Sequence, residues 1–151
     1  MNPDPYAADD IESLRGLEAI RRRPGVYVGD PADPATVTKL LAEATCLAFD
    51  NAVEGCATDV IVTLNSDGSA EVRDNGPGLD LHKDKYGWSA IDYIFTSLHA
   101  CRKHKKASRH ADSMCGVGIV ATNALSEWLT YRTTQDGQAV SYTHLTLPTK
   151  A

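Results

Sequence analysis

The sequence predicts an α+β fold. Three observations carry that expectation: segments with apolar residues at helical spacing, a pair of short β-type runs joined by turn residues, and no internal repeat to organise the chain otherwise. At 151 residues the chain has the length of one domain and can bury a core. An apolar content of 42% and a charged content of 23% are those of an ordinary soluble protein, and a formal charge of −5 argues against a surface built to coat nucleic acid. No apolar run approaches a membrane span, and Met1–Tyr6 lacks the basic and apolar character of a signal peptide. A cytoplasmic location without a membrane partner is therefore expected. Cys46, Cys56, Cys101 and Cys115 show no CxxC spacing, which makes reduced thiols the default.

Residues 1–10 are acidic and contain proline, and read as an N-terminal arm. Asp9 or Asp10 is placed to cap a helix carrying Ile11, Leu14, Leu17 and Ile20 on one face, stopping at Arg21–Gly25 where Pro24 and Gly25 disfavour its continuation. Val26–Val28 reads as extended and 29–34 as a loop. A second helix is expected over Ala35–Glu54, burying Leu40, Leu41, Ala44, Leu47 and Ala48, with Gly55 ending it. Asp59–Leu64 and Ala70–Val72 form a hairpin around Asn65–Gly68. A third helical pattern over Trp88–Leu98 places Ile91, Ile94, Phe95 and Leu98 on one side. Arg102–His110 is a polar, basic loop, Gly116–Leu125 returns to helix, and Trp128–Thr134 is a strand.

The stretch after that strand breaks with what precedes it. Val140–Thr149 matches the translation of a transposon end joined to a sequencing-library adapter, so residues 139–151 are expected to be a non-native tail. The credible domain is then 11–138, and the chain is expected to be part of something longer.

Chemistry concentrates at Asp74-Asn-Gly-Pro-Gly78, where a strand end delivers a carboxylate into a loop with two glycines. A carboxylate there accepts a hydrogen bond from an exocyclic amine such as that of adenine, and Gly76 and Gly78 let the backbone approach a flat ligand. By itself this pattern is also an ordinary turn. Its company sharpens it. Asn51 in the second helix offers an amide oxygen to Mg²⁺, a hard ion that usually shares phosphate oxygens. The turn Gly116-Val117-Gly118 opens a helix whose free N–H groups suit phosphate. The reading places Asp74 and Asn51 facing each other across a cleft sized for a purine and its phosphates. A rival of another class uses Cys101, His104, His110 and Cys115 as a small zinc module contacting nucleic acid.

Two stretches carry a resemblance. Gly16-Leu-Glu-Ala-Ile-Arg-Arg-Arg-Pro-Gly-Val-Tyr-Val-Gly29 and Val117-Gly-Ile-Val-Ala-Thr-Asn-Ala-Leu-Ser126, with Leu98-His-Ala100, resemble the ATPase domain of the B subunit of bacterial type IIA DNA topoisomerases (gyrase and topoisomerase IV), within the gyrase–Hsp90–histidine kinase–MutL group. The resemblance spans about Tyr6 to Thr134. It implies a two-layer α/β sandwich, a mixed sheet with helices packed on one face, cut short on its C-terminal side. It also implies ATP and Mg²⁺ as cofactors, with Asn51 as the metal ligand and Asp74 on the adenine amino group. Gly76 and Gly78 would line the base, and Leu79 and Ile94 would wall it. Lys103 would reach the phosphates from a lid, and Gly116, Val117 and Gly118 would hold them with backbone amides. Tyr6 would enter the nucleotide site of a second copy in an ATP-gated homodimer, with the topoisomerase A subunit and double-stranded DNA as partners of the full-length enzyme.

The departures from the family cluster at the chemistry. The family's general-base Glu is Leu47 here, which cannot accept a proton, and loss of such a base forfeits roughly 10²–10⁴-fold in rate. Glu43 lies one turn earlier, about 6 Å back along the helix, and reads more plainly as a surface carboxylate than as a substitute. Cys115 replaces a His, and Cys101-Arg102 and Asp112-Ser113 replace glycine pairs flanking the lid. Nucleotide binding with weak or absent hydrolysis is the expectation. A non-catalytic paralogue serving dimerisation or regulation is its close alternative.

Overall fold

The computed structural model describes residues 13–100, 116–135 and 137–145. Three helices come first: α1 (Gly16–Arg22), α2 (Pro24–Val28) and α3 (Pro34–Val53). The hairpin β1 (Val60–Leu64) and β2 (Ala70–Asp74) follows, then α4 (Ala90–Thr96), α5 (Gly118–Leu125), β3 (Trp128–Gln135) and β4 (Gln138–Leu145). The fold is α+β, and its described strands form two antiparallel pairs, β1 with β2 and β3 with β4.

The first core holds three helices together. Ile20 of α1, Val28 of α2 and Val120, Ala121 and Ala124 of α5 are buried in one cluster, with Leu40 of α3 against it. Two expectations are corrected here. The first helix begins at Gly16, leaving Leu14 ahead of it, because the chain turns at Gly16 (φ 56°). A side chain there would bring its Cβ within 2.9 Å of the Thr96 carbonyl oxygen. Asp9, Asp10 and Ile11 lie outside the described residues. Val26–Val28 is helical rather than extended: Pro24 occupies the first helical turn, where its missing N–H costs nothing, and Val26 N donates to Arg23 O at 3.1 Å. Packing of Val28 into the core outweighs the extended preference of two valines. Arg21 also does more than carry surface charge, since its Nε donates to Ala124 O at 3.0 Å in the last turn of α5, where a cation suits the helix dipole.

Helix α3 starts where the sequence places it, with the Asp33 side chain accepting from Ala35 N at 2.9 Å and Pro34 following. Gly55 closes it in the left-handed region (φ 74°). Of its expected stripe, Ala48 is buried and Leu40 and Leu47 pack on the two cores. Leu41 instead lines an open groove with Phe49 and Val62.

The second core joins the Gly76–Gly78 loop to α4. Leu79, Ile91, Ile94 and Phe95 are buried together, and Leu47, Leu129, Tyr131 and Tyr142 pack on them. A capping box between Ser89 and Asp92 starts α4, and the Phe95 ring meets Tyr131 with centroids 5.0 Å apart. Tyr142 belongs to β4 and stacks on Phe95 at 6.1 Å, so residues 138–145, most of them in the stretch expected to be a tail, supply a strand partner for β3. Its alternation of Val140, Tyr142 and threonines has strand propensity whatever its origin.

Ahead of α4, Asp84 organises a loop. Its carboxylate accepts from Tyr93 Oη at 2.7 Å, Tyr86 N at 2.8 Å and Trp88 N at 3.1 Å. The Tyr93 hydroxyl and these amides hold the Asp84 carboxyl below its ordinary range, and the same bond raises Tyr93. A depressed carboxyl contributes stability above its unfolded pKa and loses it as pH falls through the folded one. A raised phenol does the reverse, and its contribution vanishes as pH rises through its folded value. The loop is therefore held across the neutral range and loosens at both ends. Trp88 emission, followed from acid to alkaline pH, is expected to change at both limits in the wild type and to lose the acid step in Asp84→Asn.

Candidate functional site

The last full turn of α3 and the end of β2 meet at one point. Asn51, 7% exposed, donates through Nδ2 to Asp74 Oδ1 at 3.0 Å. Gly76 N donates to the same oxygen at 2.8 Å. Asp74 and Asn51 thus do not face each other across a cleft, as the sequence reading has it; they touch, and form one wall. Both bonds land on Oδ1, which leaves Oδ2 of Asp74 for a donor on a ligand.

Glycine at 76 is a spatial requirement, because a Cβ there would lie 2.6 Å from Asp74 Oδ1 and 2.9 Å from Asn51 Nδ2. Asn75 anchors the loop from the other side. Its Oδ1 accepts from Thr58 N (2.9 Å) and Asp59 N (3.1 Å), and its Nδ2 donates to Thr58 Oγ1 and Asp59 Oδ2, both at 2.9 Å. Gly78 has φ 74°, and a Cβ on it would strike Thr133 Oγ1. Leu79 and Ile94, the expected apolar walls, are buried side by side in the second core. Leu47 packs on that core one helical turn before Asn51.

The glycine turn lies at the other end of this face. Gly116 takes φ 74° against the backbone of Ala100, and its carbonyl accepts from His99 N at 2.9 Å. Val117 is the N-cap of α5 and buried Gly118 its first residue. The helix leans on α3, where Thr122 Oγ1 donates to Leu40 O at 2.9 Å. A Cβ on Gly118 would collide with the Glu43 carboxylate. Glu43 is half-buried against α5, which corrects the reading of it as a plain surface charge.

The structure therefore brings Asn51, Asp74 and Gly76 into contact, sets Gly78, Leu79 and Ile94 beside them, and places Gly116, Val117 and Gly118 at the start of α5. Tyr6 and Lys103 lie outside the described residues, as do Cys101, His104, His110 and Cys115 of the zinc alternative. Among the described residues no cluster of His, Cys, Asp and Glu could hold a metal ion alone. No described helix is long and apolar enough to cross a membrane. Sequence reasoning missed Asn75 and Thr133. The first had an available signal in its position inside an Asp-Asn-Gly turn; the second had none, since its contact depends on how β3 crosses the loop.

The helices and strands that carry this Asn, Asp and the two glycine turns are arranged as in a gyrase-type ATPase domain. The chain is homologous to DNA gyrase B subunits and shares the fold of the gyrase B ATPase domain. It is 42% identical over 135 residues to the DNA gyrase B subunit of Rickettsia conorii, covering 87% of this chain and 17% of that protein. It is 43% identical over 127 residues to that of Caulobacter vibrioides, covering 82% of this chain and 16% of the relative. Its structure is similar to the 43K ATPase domain of Thermus thermophilus gyrase B, solved in complex with an aminocoumarin, with a TM-score of 0.72 and 33% identity over 87% of this chain and 32% of that one. No family model matches the chain. The chain thus spans less than a fifth of these two curated relatives.

Proposed function

We propose that this chain forms the first part of the ATP-binding domain of a type II topoisomerase B subunit, which takes up ATP with Mg²⁺ and hydrolyses it slowly or not at all. The observation that carries the reading is the Asn51–Asp74–Gly76 contact, which fixes one carboxylate oxygen and presents the other. In this reading Asp74 Oδ2 accepts from the adenine amino group, while Gly76 and Gly78 admit the base and Leu79 and Ile94 wall it. The Asn51 side-chain amide oxygen is a hard donor of the kind Mg²⁺ takes alongside phosphate oxygens. Bound Mg²⁺ would neutralise phosphate charge. Amides of Gly116, Val117 and Gly118 take the phosphates at the positive end of α5, with Lys103 assigned to a lid over them.

Leu47 supports weak hydrolysis, because no proton acceptor stands one turn ahead of Asn51. It equally suits a non-catalytic paralogue that uses nucleotide to dimerise or to regulate. The ATP-gated homodimer with Tyr6 in the neighbouring site, the A subunit and DNA as partners, strand passage by the full-length isomerase and the cytoplasmic location belong to the same proposal. So does the assignment of 139–151 as a non-native tail, which the underlying nucleotides decide. Calorimetric titration of the full-length gene product with Mg–ATP, paired with a phosphate-release assay, tests the function. Binding with turnover roughly 10²-fold or more below an ordinary gyrase B is expected. Ordinary turnover contradicts the weak-hydrolysis claim, and absence of binding contradicts the whole reading.

A further inference from the structure

The cleft has an acid at the end where phosphates are assigned. Glu43 and Asn51 sit on the same helix, eight residues and so about 12 Å of axis apart. The Glu43 carboxylate lies directly on Gly118, the first residue of α5, in the space a side chain at that position would fill. Thr122, one turn further along α5, donates to Leu40 O at 2.9 Å, so the crossing of the two helices is pinned beside this contact. Both helices are thereby fixed with an anion against the turn whose amides would receive the phosphate tail.

We infer that Glu43 is a specificity-determining residue of this site, an anionic gate that competes with the terminal phosphate and shifts preference from adenosine triphosphate towards the diphosphate. The inference rests on the nucleotide-binding reading above. Its physical basis is simple. The positive end of α5 attracts one negative charge, and the carboxylate already stands there. A terminal phosphate arriving at the same turn must displace the carboxylate or lie beside it, and like charges at contact distance repel strongly where water is partly excluded. The shorter tail of the diphosphate avoids this. Gly118 permits the arrangement, since any larger residue would expel the Glu43 side chain.

The test compares ATP, ADP and adenosine binding, at fixed excess Mg²⁺, to full-length wild type, Glu43→Gln and Glu43→Asp. Glu43→Gln keeps the shape and removes the charge, whereas Glu43→Asp keeps the charge and withdraws it from Gly118. The expected result is a gain in the ATP-to-ADP affinity ratio of roughly tenfold in Glu43→Gln, a smaller gain in Glu43→Asp, and unchanged adenosine binding in both. Melting curves establish that the variants are folded. An unchanged ratio overturns the gate and leaves Glu43 a packing residue. A collapse of phosphate release in Glu43→Gln with an unchanged ratio overturns it in favour of a displaced general base. If adenosine and both nucleotides fail to bind wild type, the nucleotide reading itself falls and the gate with it.

Discussion

Asp74→Asn is expected to abolish adenine-nucleotide binding while leaving the fold intact. The substituted amide still offers an oxygen to Asn51 Nδ2 and Gly76 N, which lie 3.0 and 2.8 Å from Asp74 Oδ1, so the wall of the site keeps its bonds. What changes is the other atom, where an NH₂ donor replaces the oxygen that would meet the adenine amino group. Loss of a charged hydrogen bond costs about 1.5–3 kcal/mol, and two opposed donors add to it. Affinity should fall by roughly 100-fold or more. Calorimetry with ATP, alongside a thermal melt displaced by only a few degrees, checks both halves. Asp74→Ala is the harsher variant. It leaves the buried Asn51 amide without this acceptor and is expected to cost about 1–3 kcal/mol of stability as well.

Leu47→Glu is expected to raise phosphate release by roughly 10²–10⁴-fold, the contribution a positioned general base makes. The position lies one helical turn before Asn51, on the side of α3 that meets Leu79, Ile94 and Phe95. That apolar neighbourhood makes the gain costly. A carboxylate placed among those side chains loses hydration, and the variant should be less stable by about 1–3 kcal/mol. Activity and stability therefore move in opposite directions, which distinguishes restored chemistry from a general tightening of the fold. Leu47→Gln, with similar polarity and no basic oxygen, should show the stability loss without the rate. Equal rates in the two variants would mean that position 47 does not act on the attacking water.

The hairpin and α3 were legible because their signals are local: Asn65–Gly68 between β-type runs, and Asp33-Pro34 ahead of a helical stripe closed by Gly55. The start of α1 and the helical state of 24–28 were not, because both are decided by partners distant in the chain, Thr96 for Gly16 and the α1–α5 core for Val28. Spacing named Asn51 and Asp74 as members of one motif but could not say whether they touch. Their 3.0 Å bond follows from how β2 runs back along α3. Glu43 shows the limit most plainly. Along the helix it is one more exposed-face acid, and only the approach of α5 turns it towards the glycine motif.

The central claim is that an adenine nucleotide occupies the wall made by Asn51, Asp74 and Gly76, with its tail along α3 towards Gly118. Following the backbone amide resonances of Gly76, Gly78 and Gly118 in isotopically labelled protein during a Mg–ATP titration tests it most directly. Saturable shifts at all three glycines with ATP, and none at Gly76 or Gly78 with GTP, are predicted. Amides at 76 and 78 that stay in place at saturating ATP, or that respond equally to guanine, would contradict it.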